Sequence, residues 1–151
     1  MLLRMYHMVE RENVAKWLDI KSASLNEANS AFVYLKVINE GLSGNSVTSF
    51  IKHSGLTRKQ LSKLIHVSER TLQRYSPDKT MDINSSERLI ELTLLFLKGI
   101  QVFNEKEKFT VWLNHSNRAL ANSKPLDLIE TNIGIDLVED ELLRIEHGVF
   151  S

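Results

Sequence analysis

Apolar residues recur along this chain at three- and four-residue spacings, while alternating patterns bounded by turn residues are scarce, which predicts an all-α fold. A first, weaker helix is expected over Val9 to Asp19, with Val14, Trp17 and Leu18 as its apolar side. A second spans Asn26 to Glu40, with Phe32, Leu35 and Ile38 at helical spacing, Ala28 and Ala31 beside them, and Gly41 as the stop. Gly41 to Asn45 reads as a loop, Val47 to His53 as a short helix ending at Gly55. Ser76-Pro77-Asp78 closes a later segment, because proline blocks helical continuation. From Ser85 or Ser86 the chain is apolar on most sides. Leu89, Leu92, Phe96, Ile100 and Phe103 form one stripe, with Ile90, Leu94 and Leu97 beside it, as in a central buried helix. Asn104 with Glu107 restarts a helix carrying Phe109, Trp112 and Leu113. Three regions follow: a helical residues 1–84, a connecting helix over 85–103 and a small helical residues 104–151. No internal repeat or low-complexity segment interrupts them.

The last of these regions holds several short patterns in fixed order. Pro125 fits the first turn of a short helix, where its missing N–H is not needed, and Leu126, Leu128 and Ile129 give that helix an apolar side. Gly134 suits the positive φ that would end it. Asp136 with Glu139 reads as a carboxylate capping box, opening a helix from Leu137 to His147 that Gly148 closes. Val138, Leu142 and Ile145 make its apolar stripe, leaving Glu139, Asp140, Glu141 and Glu146 as a solvated acidic side.

The segment from Leu56 to Arg74, LTRKQLSKLIHVSERTLQR, carries a second pattern. Thr57 and Gln60 form a capping box, and Leu61, Leu64 and Ile65 face inward. Val67 fills a turn, and Ser68 caps a further helix whose Thr71 and Leu72 turn in while Glu69, Arg70, Gln73 and Arg74 face out. This spacing resembles the helix-turn-helix of Xre/Cro-type repressors, with Ser62 where Ala is usual and His66 where Gly is usual. On that resemblance Arg70 and Arg74 are placed to read guanine in the major groove and Gln73 to pair with adenine, with Ser68 beside them. Arg58, Lys59 and Lys63 suit phosphate, which fixes register without reading sequence. Such a module is also a common way to pack two helices, so dimerisation is the other use the pattern allows.

The whole chain, 151 residues with 42% hydrophobic content, holds one compact domain or two small helical ones, and its net charge is zero. Divided along the sequence the charge is not uniform. Residues 52–79 carry seven Lys/Arg against Glu69 and Asp78, a net of +5, whereas residues 125–151 carry Arg144 against seven acids, a net of −6. One segment suits a polyanion and the other avoids it. Cysteine is absent, which rules out disulfides and thiolate zinc sites and is compatible with a reducing compartment. The opening MLLRMYHMVERE lacks the features of a signal peptide and no apolar run reaches a membrane span, so a cytoplasmic location is expected.

Catalytic chemistry finds no foothold. The histidines, His7, His53, His66, His115 and His147, never fall four apart beside a glutamate, and no glycine-rich phosphate loop occurs. Glu139, Asp140 and Glu141 diverge by about 100° each around a helix and cannot converge on one ion. His115, beside Asn114, reads as a surface or capping residue. The expectation is a non-enzyme without metal or cofactor.

In order along the terminal region stand Trp112-Leu113, Asn117-x-x-Leu120, Pro125-Leu126-Asp127-Leu128, Thr131-x-x-Gly134 and a final Leu142-x-Arg144-Ile145-x-x-Gly148-x-Phe150-Ser151. That order resembles the toxin-binding domain of the Xre/ParS-type antitoxins, partners of RES-domain toxins that consume NAD. Ala121-Asn122 stands where a Gly-Gly pair is usual and Lys124 where Thr is usual. The resemblance implies an antitoxin that covers the active-site cleft of a RES toxin with its terminal helix and tail, through Leu142, Arg144, Ile145, His147, Gly148, Val149, Phe150 and Ser151. It also implies an operator-binding, homodimeric amino-terminal region that represses its own operon, and a higher hetero-oligomer with the toxin. Two other readings stay open: a helix-turn-helix repressor without a toxin partner, and a toxin-binding protein whose helix-turn-helix never touches DNA.

Overall fold

In the computed structural model the chain is described over residues 8–21 and 30–148, with the side chains of residues 8, 9 and 30 left aside. Nine α-helices occur among the described residues: α1 Met8–Leu18, α2 Ser30–Glu40, α3 Gly44–Ser54, α4 Arg58–Ile65, α5 Glu69–Arg74, α6 Ile83–Phe103, α7 Lys106–Leu113, α8 Pro125–Leu128 and α9 Asn132–Glu146. A short 3-10 turn, Arg118–Leu120, precedes α8, and among the described residues pairing of extended backbone is confined to two isolated bridges. The fold is all-α, as the periodicity predicts. Two compact units divide inside α6, residues 1–94 and 95–151.

In the first unit α1 lies on α3. Val14, Trp17 and Leu18 are buried, and the Ser46 hydroxyl donates to the Leu18 carbonyl at 2.6 Å. The Trp17 ring meets Phe50 edge-on at 5.8 Å and stacks on His53 at 5.4 Å. The inward side of α2 is only partly the one its apolar spacing suggested: of the expected stripe, Ile38 alone packs inward. Val33, Tyr34, Val37 and Ile38 are buried, whereas Phe32 and Leu35 stand 63% and 49% exposed. Both stripes are apolar, so the spacing alone does not say which one packs. Burial pushes the Tyr34 hydroxyl up to about 12, against the pull of Arg11. Residues 26–29 of the expected second helix lie outside the described residues.

Loop and cap chemistry moves three expected boundaries. Helix α3 starts at Gly44, not Val47, because the Ser43 side chain accepts from the Asn45 N–H. A Cβ on Gly44 would lie 2.4 Å from the Tyr75 carbonyl oxygen, so glycine lets the end of α5 approach. Helix α6 starts at Ile83, before Ser85, because Asp82 Oδ1 accepts from the Ser85 N–H at 2.7 Å. Ser86, buried, is left to accept from the Leu42 N–H at 3.0 Å. Helix α7 follows Glu105, with Asn104 in the left-handed region (φ 63°), not at the cap.

The second unit is built around an aromatic stack. Phe109 meets Phe96 edge-on at 5.4 Å, and Phe103 and Trp112 lie 6.1 and 6.0 Å from it. A Cβ on Gly99 would fall 2.1 Å from the Phe109 ring, so this glycine is a contact surface. Leu113, Leu120, Ile129, Ile135, Val138 and Leu142 complete the core. Burying each such side chain contributes about 1.5–3 kcal/mol.

Candidate DNA- and toxin-binding surfaces

Helices α4 and α5 form the expected helix-turn-helix. The Thr57 hydroxyl accepts from the Gln60 N–H at 3.1 Å while Gln60 Oε1 accepts from the Thr57 N–H at 2.9 Å, a complete capping box. Leu61, Leu64 and Ile65 are buried. His66 adopts φ 62°, and the Val67 N–H bonds the Ser62 carbonyl at 3.1 Å while the His66 N–H bonds that of Lys63 at 3.4 Å. These two bonds make a Schellman turn with histidine at the left-handed position. Histidine fits there at a modest steric cost relative to glycine. Arg88 reaches from α6 and donates from Nε and Nη2 to the Leu64 carbonyl, at 3.0 and 2.8 Å, satisfying an acceptor at the end of α4. Burial lowers the Arg88 pKa, with Glu91 pulling the other way.

Ser68 caps α5: its hydroxyl accepts from the Thr71 N–H at 3.0 Å and lies 2.9 Å from Thr71 Oγ1. Leu72 is buried, and Glu69, Arg70, Gln73 and Arg74 all face solvent. Arg58, Lys59 and Lys63 are exposed on α4. None of these five cations pairs with an acid among the described residues.

In the second unit the short patterns from Asn117 to Gly134 have structural jobs. Asn117 accepts from the Ala119 N–H at 2.9 Å and starts the 3-10 turn that buries Leu120. Ala121 and Asn122 take φ 54° and 62°, the two left-handed positions that glycine would occupy at least cost. Pro125 is the first residue of α8, and Lys124 before it supplies no side-chain cap. Thr131 Oγ1 accepts from the Gly134 N–H at 3.0 Å and opens α9.

That last bond corrects two expectations. Helix α9 begins at Asn132, five residues before Leu137, and Asp136 is not its cap. Gly134 does not end a helix with positive φ; it sits in the first turn of α9, where a Cβ would lie 1.6 Å from the Leu128 carbonyl oxygen. Glycine is required there for close approach. Glu139 is also misplaced by the reading of a solvated acidic side. It is 3% exposed, because the inward face of α9 runs through Ile135, Val138, Glu139 and Leu142. Glu146 is engaged as well, both of its oxygens meeting Lys98 Nζ at 2.7 and 2.9 Å. Glu141 lies 3.7 Å from Arg144.

Burial raises the Glu139 carboxyl above the usual carboxylate range; Asp136 and Asp140 add to the effect and Lys98 opposes it. A raised acid pKa means that folding favours the protonated form. Its contribution is therefore present below the unfolded pKa and is lost as pH rises through the folded value. Glu139→Gln is expected to stabilise the second unit by about 1 kcal/mol at pH 7, with little gain at pH 4. Thermal unfolding at the two pH values reads this directly; equal shifts at both would contradict it.

Of the residues expected on the toxin-facing side, Leu142 is fully buried, where it positions α9 instead of presenting a surface, and Ile145 is half-buried. Arg144, His147 and Gly148 are exposed. Val149, Phe150 and Ser151 lie outside the described residues. Ile133 and Leu137, which the periodicity did not single out, are 76% and 48% exposed one turn apart on the outer side of α9. Their signal is an apolar pair out of phase with Val138 and Leu142. His115 Nδ1 donates to the carbonyl of Val111 at 2.7 Å, the capping role expected of it. No helix of the described residues is long and apolar enough to cross a membrane.

Comparison with known proteins assigns both halves. Residues 98–148 match the antitoxin Xre/MbcA/ParS C-terminal toxin-binding domain, and residues 34–93 match the antitoxin Xre-like helix-turn-helix domain. Antitoxin Xre of Yersinia enterocolitica is 25% identical over 126 residues, covering 82% of this chain and 85% of that protein. A chain in the crystal structure of the M. tuberculosis MbcT–MbcA toxin–antitoxin complex shares the fold, with a TM-score of 0.53 at 23% identity over 72% of this chain and 96% of that one. With a helix-turn-helix and a toxin-binding domain in that order on one chain, this protein belongs to the Xre/MbcA/ParS-type antitoxins, the antitoxin side of a toxin–antitoxin system.

Proposed function

We propose that this antitoxin neutralises a RES-domain, NAD-consuming toxin by covering its active-site cleft, and that as a homodimer it represses its own operon through α4 and α5. The match of residues 98–148 to a toxin-binding domain carries the first part. The RES identity of the toxin rests on the order of the short patterns from Trp112 to Ser151. The outer side of α9, with Ile133, Leu137, Asp140, Arg144 and His147, leads along one helix to Gly148 and the following Val149, Phe150 and Ser151. This surface combines an apolar pair with the exposed Asp140, a carboxylate that suits a cleft built to receive dinucleotide phosphates. Buried area there denies the cleft to NAD; no chemistry is asked of the antitoxin.

The second part is supported by five cations on α4 and α5 that pair with no acid among the described residues and by the Arg70–Arg74 spacing of one helical turn. A dimer reading two half-sites gives such small modules useful affinity.

Deleting Val149 to Ser151 tests the occlusion. The truncated chain is expected to keep its helical content and melting temperature and to lose rescue of cells expressing the protein encoded by the adjacent gene. Full rescue by the truncated chain would remove the tail from the mechanism.

A further inference from the structure

Helix α7 is apolar on two sides, and only one is needed by the fold. Phe109 and Leu113 point into the core at 1% exposure each, whereas Val111 is 59% exposed. Around Val111 lies an open groove of about 580 Å³ lined by Phe103, Glu107, Lys108, Val111, Trp112 and His115, its walls almost wholly apolar. The walls are held from behind. Trp112 lies 5.5 Å from Phe103 and stacks on Phe109 at 6.0 Å, and Phe109 in turn is seated on Gly99. His115 is fixed at the rim by its bond to the Val111 carbonyl. A rigid aromatic pocket that needs no rearrangement to be filled is the kind of site where binding energy concentrates in protein interfaces.

We infer that this groove is a second contact for the toxin, separate from the outer side of α9 and the tail, and that it receives an apolar side chain or turn of the toxin's surface. The inference rests on the reading of this chain as a toxin-neutralising protein. One observation selects the toxin as occupant. The groove lies wholly within residues 98–148, the span that matches a toxin-binding domain.

The chain has no cysteine, so Val111→Cys introduces a single thiol at the groove. In the full-length antitoxin mixed with the protein encoded by the adjacent gene, maleimide labelling of that thiol, read by mass, is expected to slow at least tenfold. Val111→Asp, at an exposed helix position, is expected to weaken binding of the same protein at least tenfold with unchanged far-UV circular dichroism. If the wild-type chain binds and both the labelling rate and the Val111→Asp affinity are unaltered, the groove is not a contact, while toxin neutralisation stands. Concentration-dependent protection of the thiol in the antitoxin alone would give the groove to a second copy and overturn the inference. Failure of the wild-type chain to bind removes the proposed function and this contact together.

Discussion

Gly134→Ala is expected to cost the second unit about 3 kcal/mol or more and to abolish toxin neutralisation. The added methyl would begin 1.6 Å from the Leu128 carbonyl oxygen, against ordinary contact distances near twice that. The same carbonyl accepts from the Thr131 N–H at 3.3 Å, so relief by moving it breaks the turn between α8 and α9. Relief by moving α9 instead breaks the Thr131 cap and withdraws Ile135, Val138 and Leu142 from the core. Neither route is a side-chain adjustment, because backbone meets backbone. Thermal or denaturant unfolding measures the loss, and rescue assays give its consequence. A stability change below about 0.5 kcal/mol, the size of a neutral surface substitution, would show that the α8–α9 junction is not as close as described. Thr131→Ala is the milder companion, worth about 1 kcal/mol as a lost cap.

The second large effect concerns DNA. Arg70→Ala combined with Arg74→Ala is expected to remove about 2–6 kcal/mol of operator affinity, from about 1–3 kcal/mol for each bidentate base contact. Both side chains are exposed on α5 and pair with no acid among the described residues, so their loss leaves Leu72 and the Ser68 cap untouched. Arg58, Lys59 and Lys63 predict a different behaviour: neutralising any one weakens every sequence alike and flattens the plot of log affinity against log salt by about one. Binding titrations over a range of salt, with operator and unrelated duplexes, separate the two classes. Equal loss on both duplexes for the α5 pair would mean that it holds phosphate and reads no base. No salt-dependent binding by the parent chain would leave α4 and α5 to dimerisation.

Much of this architecture is legible in the sequence, and the reasons differ by element. The helix-turn-helix is specified locally: Thr57-x-x-Gln60 and Ser68 are caps whose partners lie within three residues, and Leu61, Leu64, Ile65 and Leu72 carry the inward pattern. Even the unusual His66 falls where a left-handed turn is needed. Pro125 announces α8 in the same local way. What the sequence does not disclose depends on partners distant in the chain. Which stripe of α2 packs is decided by the rest of the unit, so Phe32 and Leu35 emerge exposed. Gly134 has two physical uses, positive φ and close approach, and only the neighbouring Leu128 carbonyl chooses between them. Glu139 looks like one of several surface acids until the width of the inward face of α9 includes it. For the candidate sites, Arg58, Lys59, Lys63, Arg70 and Arg74, the cations expected to meet DNA, are exposed on α4 and α5. On α9 the pattern instead picks out Leu142, which is core, and passes over Ile133 and Leu137.

The Lys98–Glu146 pair determines what ionic strength can reach in the second unit. Its lysine side chain is 9% exposed and its carboxylate 30%, with Nζ meeting both oxygens. Mobile ions screen charges that stand in solvent and act far less on those screened by protein. Raised ionic strength therefore leaves α6 and α9 clasped, and the second unit keeps this link in a brine that loosens the solvent-exposed ion pairs.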